Sequence, residues 1–122
     1  MKSDEPIKPL RWIGPSRSDV KSFPRPVRSE IGKALYAAQR GEIDHSAKPL
    51  KGFGGGSVLE IAAPYDGNTW RTVYTVRFED AIYVLHAFQK KSKSGIATPK
   101  KEIDLVRKRL ADAERDHNKR QN

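Results

Sequence analysis

The residues best suited to chemistry are cations gathered late in the chain. Arg71 lies in the run TWRTVYTVRF, and His86, Lys90, Lys91 and Lys93 follow in YVLHAFQKKSK. No acidic residue falls between Asp80 and Glu102. An arginine offers a planar donor fork that fits a phosphate, and neighbouring lysines add charge. A lysine beside other cations can also move a proton, because they lower its pKa. Each residue has a plainer reading too. A strand arginine covers apolar surface with its stem, and spacing alone favours that reading for Arg71. A lysine run is commonly a solvated face, and a strand histidine is commonly packed and hydrogen-bonded. His45 and His117 lie in polar surroundings, and the chain has no cysteine, so no metal-ligand spacing appears. Gly52-Phe53-Gly54-Gly55-Gly56 is not a phosphate loop: the Gly-Lys-Ser/Thr ending is missing and a strand-like run follows. No serine has the pattern of a nucleophile, and Glu60, inside a strand-like run, receives no role.

The cations must be positioned by a hairpin. Thr69–Phe78 and Ala81–Phe88 are rich in β-branched and aromatic residues, with only Glu79-Asp80 between them. A two-residue turn there sets Arg71 opposite Phe88 and Val73 opposite His86. Side chains alternate along strands, so Ile82, Val84, His86, Phe88 and Lys90 share the face of Arg71. The opposite face, with Trp70, Tyr74, Tyr83, Leu85 and Ala87, is the better core candidate. The Arg71 face mixes apolar and cationic residues, as a half-open binding surface does. A one-residue slip reverses these assignments.

Before the hairpin, Pro9–Gly14 reads as a short edge strand and Ser16–Phe23 as a short helix broken by Pro24. Val27, Ile31, Ala34, Leu35 and Ala38 share one helical face, with Pro26 in the first turn and Gly41 at the C′ position. Gly41–Gly56 reads as a loop and Ser57–Ala63 as a strand. After the hairpin, Thr98 is a good N-cap and Pro99 a good first helical residue. Ile103, Val106, Leu110 and Ala113 then form an apolar stripe. The expected order is β-α-α-β-β-β-α, an α+β fold with a small, mostly antiparallel sheet, two N-terminal helices and one C-terminal helix. It forms a single domain over residues 1–122, with 1–8 and 115–122 as flexible ends.

The chain has 122 residues and a formal net charge of +9. That favours a polyanionic partner. Without cysteines, disulfides and thiolate metal sites are excluded. No signal-peptide pattern and no membrane-spanning run appear, so a cytoplasmic protein is expected.

The stretches KPLKGFGGGSVLEI (48–61), TWRTVYTVRF (69–78), YVLHAFQKKSKSGIATPKKEIDLVRKRL (83–110) and, more weakly, ALYAAQRGE (34–42) resemble the RelE/ParE superfamily of toxins from toxin–antitoxin systems. The HigB-type, phage-derived branch looks closest, and the similarity runs from Leu10 to Ala113. The resemblance implies a RelE-like fold and an endoribonuclease that cleaves messenger RNA on the ribosome. It also implies a helix-turn-helix antitoxin partner in a hetero-oligomeric complex. Carried over by position, Arg71 matches an arginine that contacts the scissile phosphate. Lys90 and Lys91 match basic residues acting at the cleaved phosphate. Some relatives use a tyrosine in the C-terminal segment, but here none follows Tyr83.

The expected chemistry needs no metal and no cofactor: the RNA 2′-OH attacks the adjacent phosphorus. Arg71 and Lys91 stabilise the transition state, and Lys90 or His86 moves the proton. Arg77, Lys93, Lys100, Lys101 and Arg107 hold the RNA backbone. Two alternatives stand beside this one: a ParE-like inhibitor of DNA gyrase, and a module that binds RNA or protein without chemistry.

Overall fold

The computed structural model describes residues 6–90 and 97–122. The elements are β1 (Leu10–Trp12), α1 (Ser16–Lys21), α2 (Arg25–Gln39), β2 (Ala47–Pro49), β3 (Val58–Tyr65), β4 (Asn68–Thr75), β5 (Ile82–Lys90) and α3 (Lys100–Gln121). One five-stranded sheet has the order β1-β5-β4-β3-β2. Only β1 runs parallel to its neighbour, β5. The α+β class and the element order match the sequence reading, with one addition. Strand β2 lies within the stretch read as a loop. It is three residues long and includes Pro49, which an edge tolerates.

The sheet separates two cores. On one side, α2 lays down Val27, Ile31, Ala34, Leu35 and Ala38 against Leu59, Ile61, Trp70, Tyr74, Ile82 and Val84. Its C′ residue is Gly41, whose φ of 83° suits a residue without a Cβ. On the other side, α3 presses Val106, Leu110 and Ala113 onto Val73, Tyr83 and Leu85. Both helical stripes expected from periodicity therefore face the sheet, with only Ile103 of the α3 stripe partly exposed.

The hairpin departs from expectation at its turn. Strand β4 stops at Thr75 and β5 starts at Ile82, so residues 76–81 connect them. The Thr75 hydroxyl donates to the Ser57 carbonyl at 2.7 Å and accepts from the Arg77 amide at 3.1 Å, which turns the chain out of the ladder. Away from the turn the register is as expected: Arg71 pairs with Phe88 and Val73 with His86. Then Tyr74 pairs with Val84, and Leu85 is the extra residue of a β-bulge. The bulge sends Leu85 and His86 to the same side. Tyr83 and Leu85 thus join the α3 core, while Ile82 and Val84 join the α2 core, the reverse of the sequence assignment. The supposed half-open face is roofed by α3.

Two details of α3 also differ. Its N-cap is Pro99 and no side chain caps it, because the Thr98 hydroxyl is used elsewhere. Residues 115–121, read as part of a polar tail, are helical. Tyr83 and Arg120 both donate to Asp116 Oδ2, at 2.6 and 2.8 Å, and His117 stacks on Phe78 with centroids 4.5 Å apart. Polar partners on the sheet therefore continue the docking that the apolar stripe begins. Among the described residues no helix is long and apolar enough to cross a membrane.

Candidate functional site

Alternation places Glu60, Arg71 and Lys90 on the α3 side of three adjacent strands. Glu60 is opposite Val73, Arg71 is opposite Ala62 and Phe88, and Lys90 is opposite Thr69. The three side chains therefore lie on a diagonal across β3, β4 and β5, where long side chains reach one another. Arg71 Nη1 donates to Glu60 Oε1 at 2.6 Å. Thr98 Oγ1, from the segment leading into α3, donates to Glu60 Oε2 at 2.8 Å. Lys90 Nζ donates to the Ala97 carbonyl at 2.8 Å.

This cluster is largely withdrawn from solvent. Arg71 keeps 15% of its side chain exposed and Glu60 9%, and Lys90 is 7% exposed. Arg71 Nε is buried and has no hydrogen-bond partner, so the guanidinium retains an unspent donor. Burial pushes the Lys90 ammonium below the ordinary lysine pKa. The adjacent Arg71 charge adds to the fall and Glu60 opposes it. A lysine so placed gives up its proton more readily than one in water. The cluster can hold an anion beside a proton donor.

His86 is brought near α3 rather than into this cluster. Its Nε2 lies 2.6 Å from Glu102 Oε1, and Arg109 Nη1 lies 3.0 Å from its Nδ1. Arginine only donates, so Nδ1 is the acceptor and Nε2 carries the hydrogen given to Glu102. The ring stacks on Phe88 at 4.9 Å. With both nitrogens engaged and the ring buried, His86 fits the packed-histidine reading.

The backbone-binding candidates are dispersed. Lys91 and Lys93 lie outside the described residues. Arg77 lies beyond the end of β4, in the β4–β5 connection, and it pairs with Glu114 at 2.6 Å. Lys100 and Lys101 are exposed on the first turn of α3, where Lys100 reaches Asp104 at 2.9 Å. Arg107 is 4.6 Å from the Phe53 ring centroid and donates to the Gly52 carbonyl at 3.2 Å. It thus ties the glycine-rich loop to α3.

Sequence reasoning left out Glu60, Thr98, Glu102 and Arg109 as site-shaping groups. Glu60 carried a usable signal: an acid within Val58-Leu59-Glu60-Ile61, where every neighbour is apolar, needs a cationic partner if the strand is buried on both faces. Arg109 carried none, because its reach to β5 depends on how α3 crosses the sheet. Among the described residues no group of three or more His, Asp or Glu residues gathers as a metal site.

The model of the family described as phage derived protein Gp49-like matches residues 18–111, most of the chain. The chain belongs to this Gp49-like family. Among solved structures it is similar to a double arginine-to-alanine variant of the E. coli toxin RelE in its free state. That match has a TM-score of 0.51 and 16% identity, and covers 73% of this chain and 87% of that one. At this identity the likeness is one of fold, and the fold is RelE-like. No curated protein matches the chain. The family match covers every strand but β1 and includes Glu60, Arg71, His86 and Lys90.

Proposed function

We propose that this Gp49-like protein is the toxin of a toxin–antitoxin system, of HigB type, and cleaves messenger RNA on the ribosome without a metal. The carrying observation is the buried diagonal of Arg71 and Lys90 around one carboxylate, on a chain of net charge +9. Arg71 holds the scissile phosphate and stabilises the phosphorane, whose extra negative charge a fixed cation in a water-poor site favours. The RNA 2′-oxygen attacks phosphorus and its proton passes to solvent water. The bond from phosphorus to the 5′-oxygen breaks, and Lys90 gives that oxygen a proton. The products are a 2′,3′-cyclic phosphate and a 5′-hydroxyl. Lys91 serves as a second clamp on the phosphate. His86, engaged at both nitrogens, leaves the proton transfer to Lys90. Lys93, Lys100, Lys101, Arg107 and Arg77 draw the RNA backbone by charge. An antitoxin, the partner the family resemblance implies, meets this cationic surface with acidic side chains or blocks ribosome entry from another face.

The test is end-group analysis of messenger RNA from a translation reaction containing the purified protein. A 2′-deoxy nucleotide at the cleaved position is the control. The expected result is 5′-hydroxyl ends, lost with the 2′-deoxy substrate. Continued cutting of that substrate sinks the mechanism.

A second reading is a module that binds RNA or protein without cutting. It is favoured by the internal partners of the described cations: Glu60 for Arg71, Ala97 for Lys90 and Glu114 for Arg77. Intact RNA with retained binding would select it.

A further inference from the structure

Glu60 stands at the centre of the cation cluster, and the chemistry proposed above gives it nothing to do. Both its oxygens are spent, one on Arg71 and one on Thr98. A carboxylate withdrawn from water in a strand is costly unless an ion pair and further hydrogen bonds offset the loss. Here they come from the residue meant to hold the phosphate and from the residue that leads into α3.

We propose that Glu60 is the positioning residue of this site: it fixes the Arg71 guanidinium beside Lys90, and its charge balances the two cations so that they stay together before RNA arrives. The inference rests on the reading that Arg71 and Lys90 act on a phosphate. Without Glu60, the two cations face each other across adjacent strands, and repulsion together with burial drives one of them away or neutral. A guanidinium is far more basic than an ammonium, so Lys90 is the one to lose charge. Arg71 from β4 and Glu60 from β3 act on Lys90 by charge, and the Ala97 carbonyl accepts its hydrogen bond. The α3 acid Glu102 is bound to His86. The fall in the Lys90 pKa, caused by burial and then Arg71 and opposed by Glu60, has the sign this arrangement requires.

Two predictions of opposite direction separate positioning from mere structural support. Removing a negative charge beside a polyanion leaves RNA binding equal or tighter. Losing the fixed guanidinium slows the chemical step by roughly ten- to a hundredfold. A variant that has simply lost structure is worse at both.

The experiment uses the full chain as wild type, Glu60→Gln and Glu60→Asp. The Lys90 ammonium is titrated by NMR on lysine labelled at Cε, with Lys90→Met for assignment. Binding is measured with a 2′-deoxy-substituted messenger analogue, and cleavage in a translation reaction. In Glu60→Gln the Lys90 midpoint should fall by roughly one pH unit, with binding held and cleavage slowed. Glu60→Asp, with its carboxylate one methylene back, should show a smaller fall, and it carries the test if Glu60→Gln does not fold. An unchanged midpoint in the folded variants, or binding and cleavage lost in parallel, overturns the role of Glu60. If wild type cuts nothing, the nuclease reading fails, and the Lys90 titration still decides whether Glu60 balances the pair.

Discussion

Replacing Arg71 by alanine should damage the fold before it informs about catalysis. The guanidinium and the Glu60 carboxylate meet at 2.6 Å with 15% and 9% of their side chains exposed. Removing one partner of a buried pair costs about 3–5 kcal/mol, because the remaining charge is stranded. The Thr98 hydroxyl and the Lys90 charge remain near Glu60, which argues for the low end, about 3 kcal/mol. A domain of this size has only about 5–15 kcal/mol in total, so the melting temperature should drop by roughly 10 °C. The assay is a double-mutant cycle by urea unfolding at pH 7 with Arg71→Ala, Glu60→Leu and the double variant. The double variant should recover most of the loss, because no charge is left buried. The coupling energy should be about 2 kcal/mol. Coupling within about 0.5 kcal/mol of zero would refute the buried pair and the site built on it. Cleavage assays should therefore use Arg71→Lys, which keeps the charge and loses the fork.

Other consequences are independent of that pair. Tyr83→Phe removes a donor to Asp116, whose carboxyl is held below the usual range first by Tyr83 and then by Arg120. A depressed acid contributes stability above its unfolded pKa and loses it as pH falls through the folded value. The variant should thus be weaker by about 1 kcal/mol at pH 7 and by much less at pH 3, read from urea midpoints at both. Burial, and then the Asp44 charge, push the Tyr74 phenol up to about 12, and its hydroxyl has no hydrogen-bond partner. A raised tyrosine keeps its proton in the fold when the unfolded chain has lost it. Stability should therefore decline between pH 10 and about 12 in alkaline unfolding, and Tyr74→Phe should flatten that decline. Leu110→Ala should cost about 2–3 kcal/mol and speed hydrogen exchange in β5, since this side chain seats α3 on the sheet.

What the sequence made legible was local. The α2 stripe from Val27 to Ala38 and the α3 stripe from Ile103 to Ala113 are periodic signals that need no knowledge of the rest of the chain. The Arg71–Phe88 register followed from counting outward from Glu79-Asp80, because the extra residue at Leu85 happens to offset the larger connection only beyond His86. The bulge itself is a tertiary outcome. It sends Leu85 to meet α3 and His86 to meet Glu102 and Arg109, contacts that span up to 24 residues. For the same reason the sequence offers no sign that Lys90, one of a lysine run, is withdrawn from solvent. It is buried, and its ammonium donates a hydrogen bond to the Ala97 carbonyl, seven residues further on. Glu60 was visible as an anomaly in an apolar strand, but its partners lie 11 and 38 residues away.

The most direct test of the central claim is messenger RNA integrity during translation. Purified wild type, Arg71→Lys and Lys90→Met proteins are added to a translation reaction and to the same reaction without ribosomes. The account predicts cleavage by wild type only where ribosomes are present, and little or none with either folded variant. Intact messenger RNA with wild type under both conditions, or equal cutting by wild type and both variants, contradicts it.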